Sequence, residues 1–520
     1  VVGWQFLAGL GMAAGGALLL IIYEVAHLSG FGFGQSVYQI SDYDEGVYLE
    51  TGALVSHGYH LYAQIYSAQP PIFPLAIAAA DKMAGFSVPN ARLVVLAFAL
   101  LGLLSAAMIG YCIQGWPAAG VGALVLALSP EMLVYAHAIE EEVPAMALSG
   151  LSVALGLVWW RRLSMGRTTL SRRLGVPAFG AGLSLGLAVL TKFFAFAALA
   201  PLTVMLSLAL WEGRRRRAEP RAAQLGTILW GPLLAGIGFI LPIAVSFAFF
   251  GLDEWRQMVA DRVRASTTYP SAQTTVSNLH QILTFGLVDV GLVVLALAGA
   301  LLLLLQSWRM GLVLGSWALA TLLILARYHP LMGHHPVMLL EPAATLAAGA
   351  VIGLLPGTWR DDGRWMSGRG ATRLAAVVAL ACYLVLLPRL FLAYPRLLTH
   401  PARDDRAQAG TLIRSHTPPG SFVASGDAWI CVDADRLCVP GLVDTSYVRI
   451  FTGKLTAAEA VAQTRSVNAA AVALWPRFRP APGYHFMDAY FRWVRGRYRL
   501  LERFTCSGSA PTGCDAVYVR

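Results

Sequence analysis

Charge is what this sequence has least of. Asp, Glu, Lys and Arg together make up 13% of its 520 residues, against about a quarter in soluble domains, and that excludes an ordinary soluble chain. Hydrophobic residues reach 57% and the mean hydropathy is positive, so the sequence reads as a membrane protein. Lysine is nearly missing, occurring only at Lys82, Lys192 and Lys454, so the net charge of +10 is carried by arginine. That arginine lies in short runs between apolar stretches, which is the pattern of membrane topology and not of a nucleic-acid surface. Repeats and low-complexity linkers are absent as well. The stretch from Ser41 to Pro74 has no Lys or Arg at all, yet holds Asp42, Asp44 and Glu45.

What is present in abundance is apolar length. Segments of roughly 17 to 25 residues, enough to cross the hydrocarbon core, fall near 4–23, 93–113, 117–137, 143–160, 174–194, 196–211, 226–250, 283–306, 310–327, 337–356 and 373–394. They predict a polytopic α-helical protein of about eleven spans. The first is too long, and too poor in upstream basic residues, for a cleaved signal, and is expected to stay. Arg161, Arg162, Arg167, Arg172, Arg173, Arg214 to Arg217, Arg309, Arg360, Arg364, Arg369 and Arg373 all fall on one side of the alternation. Placing that side in the cytoplasm puts the N-terminus there too. The opposite side receives the opening acidic stretch, Glu140 to Glu142, residues 251–280, the Arg327–Pro336 loop and everything after about residue 395.

The division expected is a membrane domain, 1–394, with a first outer loop at 24–92, and an extracytoplasmic α/β domain, 395–520. In the tail, "SFVASGDAWI" and "AAAVALW" read as strands, and "DDRAQAGTLIRSH", "LTAAEAV" and "FMDAYFRWVRGRY" as helices, with Thr456 and Glu459 at capping-box spacing. Cys431, Cys438, Cys506 and Cys514 suggest disulfides outside the cytoplasm, most simply 431 with 438 and 506 with 514, although four cysteines allow three pairings.

Ionisable residues beside the spans are the informative ones, because a charge in hydrocarbon is costly and faces a cavity. Glu24, Lys192, Asp289 and Glu341 all belong to the outer half. Snorkelling at helix ends accounts for Glu24 and Glu341; Lys192 and Asp289 point to an outward polar cavity. Asp42, Asp44 and Glu45 form one acidic cluster and Glu140, Glu141 and Glu142 a second on the same face. Together they are the parts of a general base and a divalent metal site.

These residues resemble a known group. "DYDEGVYLETGALVSHGYHLY" followed by "QPPIFPL" is similar to the first outer loop of GT-C-type membrane glycosyltransferases, which include protein O-mannosyltransferases and the lipid A aminoarabinose transferase. "SPEMLVYAHAIEEEVP", "GLAVLTKFFAF" and "HHPVMLLEPAATLAA" follow in the order and on the side of that group's motifs. The resemblance covers residues 1 to about 395 and implies transfer of a sugar from a polyprenyl-phosphate donor to an acceptor hydroxyl on the outer face of the plasma membrane. The acceptor is a protein, lipid or polysaccharide, and no nucleic acid is involved. By position, Asp44 would be the base with Glu45 beside it. Lys192 would face the lipid phosphate, with His334 and His335 at the mouth. Glu142, with Glu141, would border the donor or a divalent Mg or Mn ion. Asp42, Tyr48, Tyr62 and Asp289 would line the sugar and acceptor cavity. Two departures stand out: Gln69 replaces the Lys before Pro-Pro, moving part of the phosphate clamp to Arg92 or Arg327, and the second cluster has Glu where Asp is usual.

The competing reading is a transporter or lipid flippase with an outward cavity. Such proteins show inverted repeats and broken helices, and neither is visible here. A third, an assembly protein with a vestigial acidic loop, predicts no effect of changing Asp44.

Overall fold

A computed structural model describes residues 2–28, 43–164, 172–215, 221–268, 273–353, 369–398, 405–475, 486–506 and 514–520. Asp42, Arg167, Arg216, Arg217, Arg360 and Arg364 lie outside them. Helix α1 (Val2–Leu28) is followed by two shorter helices, α2 (Tyr43–Ser56) and α3 (Ile72–Ala84), and then by α4 (Val88–Gln114), α5 (Trp116–Leu128), α6 (Pro130–Tyr135), α7 (Glu142–Ser164), α8 (Arg172–Val189), α9 (Leu199–Arg215) and α10 (Arg221–Trp255). Beyond a kink at Gly251 come α11 (Arg262–Thr268), α12 (Thr275–Val288), α13 (Val290–Gln306), α14 (Trp308–Arg327), α15 (Leu340–Ala348) and α16 (Arg369–Leu398).

Among the described residues six helices are long and apolar enough to cross a membrane, or seven if α12 and α13, bent by 100°, form one span. This is a multi-pass membrane protein, with fewer such helices than the eleven expected. Hydropathy runs straight across breaks that backbone chemistry imposes. Helix α5 ends at Ser129, ahead of Pro130; Asp289 accepts from the Leu292 N–H at 3.0 Å and caps α13. The segment near 337–356 is nine residues of α15 between two 3-10 turns. The bend at Asp289 also corrects the expectation that no helix is broken.

Backbones come closest where α8 meets α10. A Cβ on Gly182 would lie 1.8 Å from Ala235 O, and one on Gly186 would lie 2.5 Å from Phe239 O. Small residues four apart permit this approach, and close packing is what joins helices in lipid.

After α17 (Asp405–His416) the chain builds a five-stranded sheet in the order β2-β1-β3-β5-β4. Strands β1 (Phe422–Ser425), β2 (Leu437–Cys438) and β3 (Ala471–Leu474) are parallel; β4 (Arg499–Cys506) and β5 (Cys514–Val519) run antiparallel. Between them lie α18 (Trp429–Ala434), α19 (Tyr447–Phe451), α20 (Ala457–Ser466) and α21 (Asp488–Arg495). The strand read through "SFVASGDAWI" stops at Ser425, because Asp427 turns the chain and accepts from the Trp429 N–H at 3.1 Å. Thr456 accepts from the Glu459 N–H at 3.1 Å and starts α20. Cys431 and Cys438 form a disulfide. Cys506 and Cys514 are register partners, but their side chains lie outside the described residues.

This sheet shares its core with the first loop. Leu54, Leu61, Tyr62 and Ile65 pack in one cluster with Ile413, Val423, Cys431 and Cys438.

Candidate active site

Helix α2 begins with Asp44 and Glu45 in its first turn, where a carboxylate complements the positive end of the helix dipole. Helical spacing divides its residues into faces. On one face Tyr48 meets the Phe73 ring at 5.1 Å and Gly52 lies against Ile77. Glu45 is on that face too, buried, with Oε1 accepting from the Ile139 N–H at 2.7 Å. It anchors the segment leading to Glu140. Asp44 is half-buried at the edge of this face, within electrostatic reach of Tyr48 and of Tyr447 from α19. Burial first, then the charges of Glu141 and Asp44, hold the Tyr48 phenol well above its ordinary value, so it remains a neutral hydrogen-bond donor.

Where α8 ends, Lys192 takes an extended conformation and opens a 3-10 turn. Its Nζ lies 2.9 Å from Glu141 Oε1, makes a closer contact with Glu142 Oε1, and stands over the Phe194 ring. All three charges are buried; two carboxylates compensate one ammonium, as a buried charge requires. His334 reaches the same group, Nε2 3.6 Å from Glu142 and Nδ1 3.7 Å from Glu140. Glu142, His334 and His335 have donor atoms within 4.8 Å of one another and could hold a metal ion. The sequence reading paired Glu142 with Glu141 instead; the donor atoms grouped with Glu142 are those of His334 and His335.

Gln69 follows Tyr62, which takes the left-handed conformation (φ 65°) and donates its hydroxyl to Gln69 O at 2.8 Å. Gln69 Oε1 accepts from Arg262 Nη2 at 2.5 Å. The same guanidinium donates to Ala68 O at 3.1 Å and to the Tyr328 hydroxyl. Its Nε is buried with no partner, and no carboxylate pairs with it among the described residues. Beside Gln69, then, the guanidinium is that of Arg262, not of Arg92 or Arg327. Arg92 is buried against His137, whose Nδ1 bonds Glu24 at 2.6 Å, and Arg327 is exposed at the end of α14.

Other expectations are revised in the same way. Glu24 and Glu341 do not snorkel: both are fully buried, one on His137 and the other receiving the Ser105 hydroxyl between α4 and α7. Asp289 joins a separate polar group with Ser129 and Glu131 at the helix break. Tyr62 braces the loop through Gln69 and the Phe250 ring.

No protein-family model and no curated protein sequence matches this chain. Solved structures do. ArnT from Cupriavidus metallidurans, bound to undecaprenyl phosphate, superposes with a TM-score of 0.57 at 16% identity, over 96% of this chain and 97% of that one. The archaeal oligosaccharyltransferase AglB from Archaeoglobus fulgidus, in complex with an inhibitory peptide and a dolichol-phosphate, gives 0.53 at 14%, over 98% and 74%. The chain has the GT-C fold. Within the GT-C fold, Glu45 bonds the segment leading into the Glu140–Glu142 turn, that turn meets Lys192 and His334, and the first loop packs against the C-terminal sheet. Arg262, Tyr328 and Tyr447 are the members of this neighbourhood that sequence reasoning missed. The only signal for Arg262 was its place in the outer segment after Gly251.

Proposed function

We propose that this protein is a glycosyltransferase that moves a sugar from a polyprenyl-phosphate-linked donor to an acceptor hydroxyl on the outer face of the plasma membrane, with Asp44 as the general base. The observation that carries this reading is Arg262: a guanidinium with no carboxylate paired to it among the described residues, braced by Gln69 and Tyr328 and close to the Lys192 cluster. A planar fork with a free N–H suits a phosphate. In the proposed step the acceptor oxygen attacks the anomeric carbon and gives its proton to Asp44, while the bond from that carbon to the phosphate oxygen breaks. Arg262 and Lys192 stabilise the charge that collects on the departing lipid phosphate. Tyr48, neutral and adjacent to Asp44, donates to a sugar or acceptor oxygen.

One carboxylate and two imidazoles suit a zinc-like ion better than the oxygen-seeking Mg or Mn. When bound, such an ion would add positive charge near the phosphate side of the site. His335 Nδ1 accepts from the Met332 N–H at 3.0 Å, which orients the ring.

Purified protein given labelled polyprenyl-phosphate sugar and acceptor-containing membranes should transfer label. Asp44→Asn should lose at least about a hundredfold, the range of a missing general base, while inserting normally. Full retention by that variant would reject the mechanism. The break between α12 and α13 is a feature shared with the transporter alternative, and the structural comparisons lend that alternative no support.

A further inference from the structure

The C-terminal sheet touches α2 along a single stripe, and the contacts are polar and close. Tyr43 Oη accepts from the Thr445 N–H at 2.6 Å and bonds Thr445 Oγ1 at 2.9 Å. Three residues along, the Trp429 backbone presses on Gly46: a Cβ there would lie 2.5 Å from Trp429 N. At Glu50, Oε2 accepts from the Cys438 N–H at 2.9 Å. Leu54 completes the stripe inside the shared core. Residues 43, 46, 50 and 54 recur at helical spacing. Gly46 and Glu50 meet the segment Ala428 to Cys438, whose end is tied by the Cys431–Cys438 disulfide, and Tyr43 meets Thr445 beyond it. On the opposite side Glu45, Tyr48 and Gly52 are held by Ile139, Phe73 and Ile77.

Asp44 lies between the two stripes. A helix gripped on both flanks cannot turn about its axis, and a carboxylate at the border then has one direction. Freed from the sheet, α2 would keep only the membrane-side grip.

We propose that the C-terminal domain is a positioning element of the site: Thr445 on Tyr43, Trp429 on Gly46 and the disulfide-bonded Cys438 on Glu50 together fix the rotation of α2 and thereby the aim of Asp44. The proposal rests on the reading of Asp44 as the base, and its test separates the two.

Three full-length variants are compared with wild type: Cys431→Ala/Cys438→Ala, which opens the segment; Gly46→Ala, which pushes Trp429 away; and Tyr43→Phe, which removes one hydroxyl and is the mildest. Amide exchange over residues 43–56 is measured alongside kcat and KM for the polyprenyl-phosphate sugar. Exchange should rise about tenfold or more in the first two variants and less in Tyr43→Phe. Their kcat should fall about 10- to 100-fold with KM within about twofold, because misdirection of a reacting group is paid in kcat. Wild-type exchange in Gly46→Ala and Tyr43→Phe would overturn the proposal, and so would faster exchange with unchanged kcat. Asp44→Asn distinguishes the two readings. Lost transfer with normal α2 protection supports both, whereas undiminished transfer ends the role of Asp44 and with it the aim that the clamp was proposed to set.

Discussion

Glu50 offers a quantitative test of the contact between α2 and β2. Its side chain is fully buried, one oxygen accepts from the Cys438 N–H and the other has no partner. Burial pushes the carboxyl from 4.5 up to about 8; Asp81 and Asp435 add to the rise and the Cys438 N–H opposes it. The folded form therefore holds a proton that the open form releases. Because the folded value is raised, the associated stability is complete below about 4.5 and is lost as pH climbs through about 8. Each unit in that window removes about 1.4 kcal/mol, or tenfold in the opening equilibrium, so from about pH 5.5 to about pH 7.5 the loss approaches 3 kcal/mol. Glu50→Gln keeps the shape and has no proton to lose. Exchange of the Cys438 amide, compared between variant and wild type at equal pH, cancels the intrinsic pH dependence of the chemistry. Protection in the variant relative to wild type should grow about a hundredfold over those two units. A ratio that stays level across the window would refute the buried, proton-holding state of Glu50.

Arg262→Ala should weaken retention of undecaprenyl phosphate about 10- to 100-fold, the worth of a charged hydrogen bond, and Arg262→Lys should recover only part of it; native mass spectrometry of the purified protein reads both. Gly182→Ala should destabilise by about 1 to 3 kcal/mol, since its methyl would meet the Ala235 carbonyl. Gly236→Ala, whose Cβ meets nothing within 4 Å, should be neutral within about 0.5 kcal/mol; thermal unfolding in detergent compares the pair. Metal analysis should find zinc rather than magnesium, reduced by His334→Ala, and equal zinc in that variant would move the ion elsewhere.

The parts of the site that could be read from sequence are those in which the chemistry is local. Asp44 and Glu45 stood out because no basic residue accompanied them, and Lys192 because it is a charge at the end of an apolar span. Arg262 could not be found this way: it meets Gln69 across 193 positions, and nothing near it in sequence marks it as lacking a carboxylate. Arg92 looked available for the same reason, since its partnership with His137 and Glu24 joins separate helices. Helix breaks were hidden because Ser129 and Asp289 sit inside apolar runs, where hydropathy averages over a single capping residue. For Glu24 and Glu341, position at a helix end suggested snorkelling, whereas a buried partner, invisible to the chain's own order, holds each in place.

The bond between Tyr43 and Thr445 spans 402 positions, and this separation has a consequence during synthesis. The ribosome completes the first loop long before it reaches residues 405–520, so through most of translation Leu54, Leu61 and Tyr62 have no sheet to cover them. A chain halted early would sit in the bilayer with its membrane helices built and α2 held on its membrane side alone; on the positioning proposed above, Asp44 gains its aim only when the last strands close.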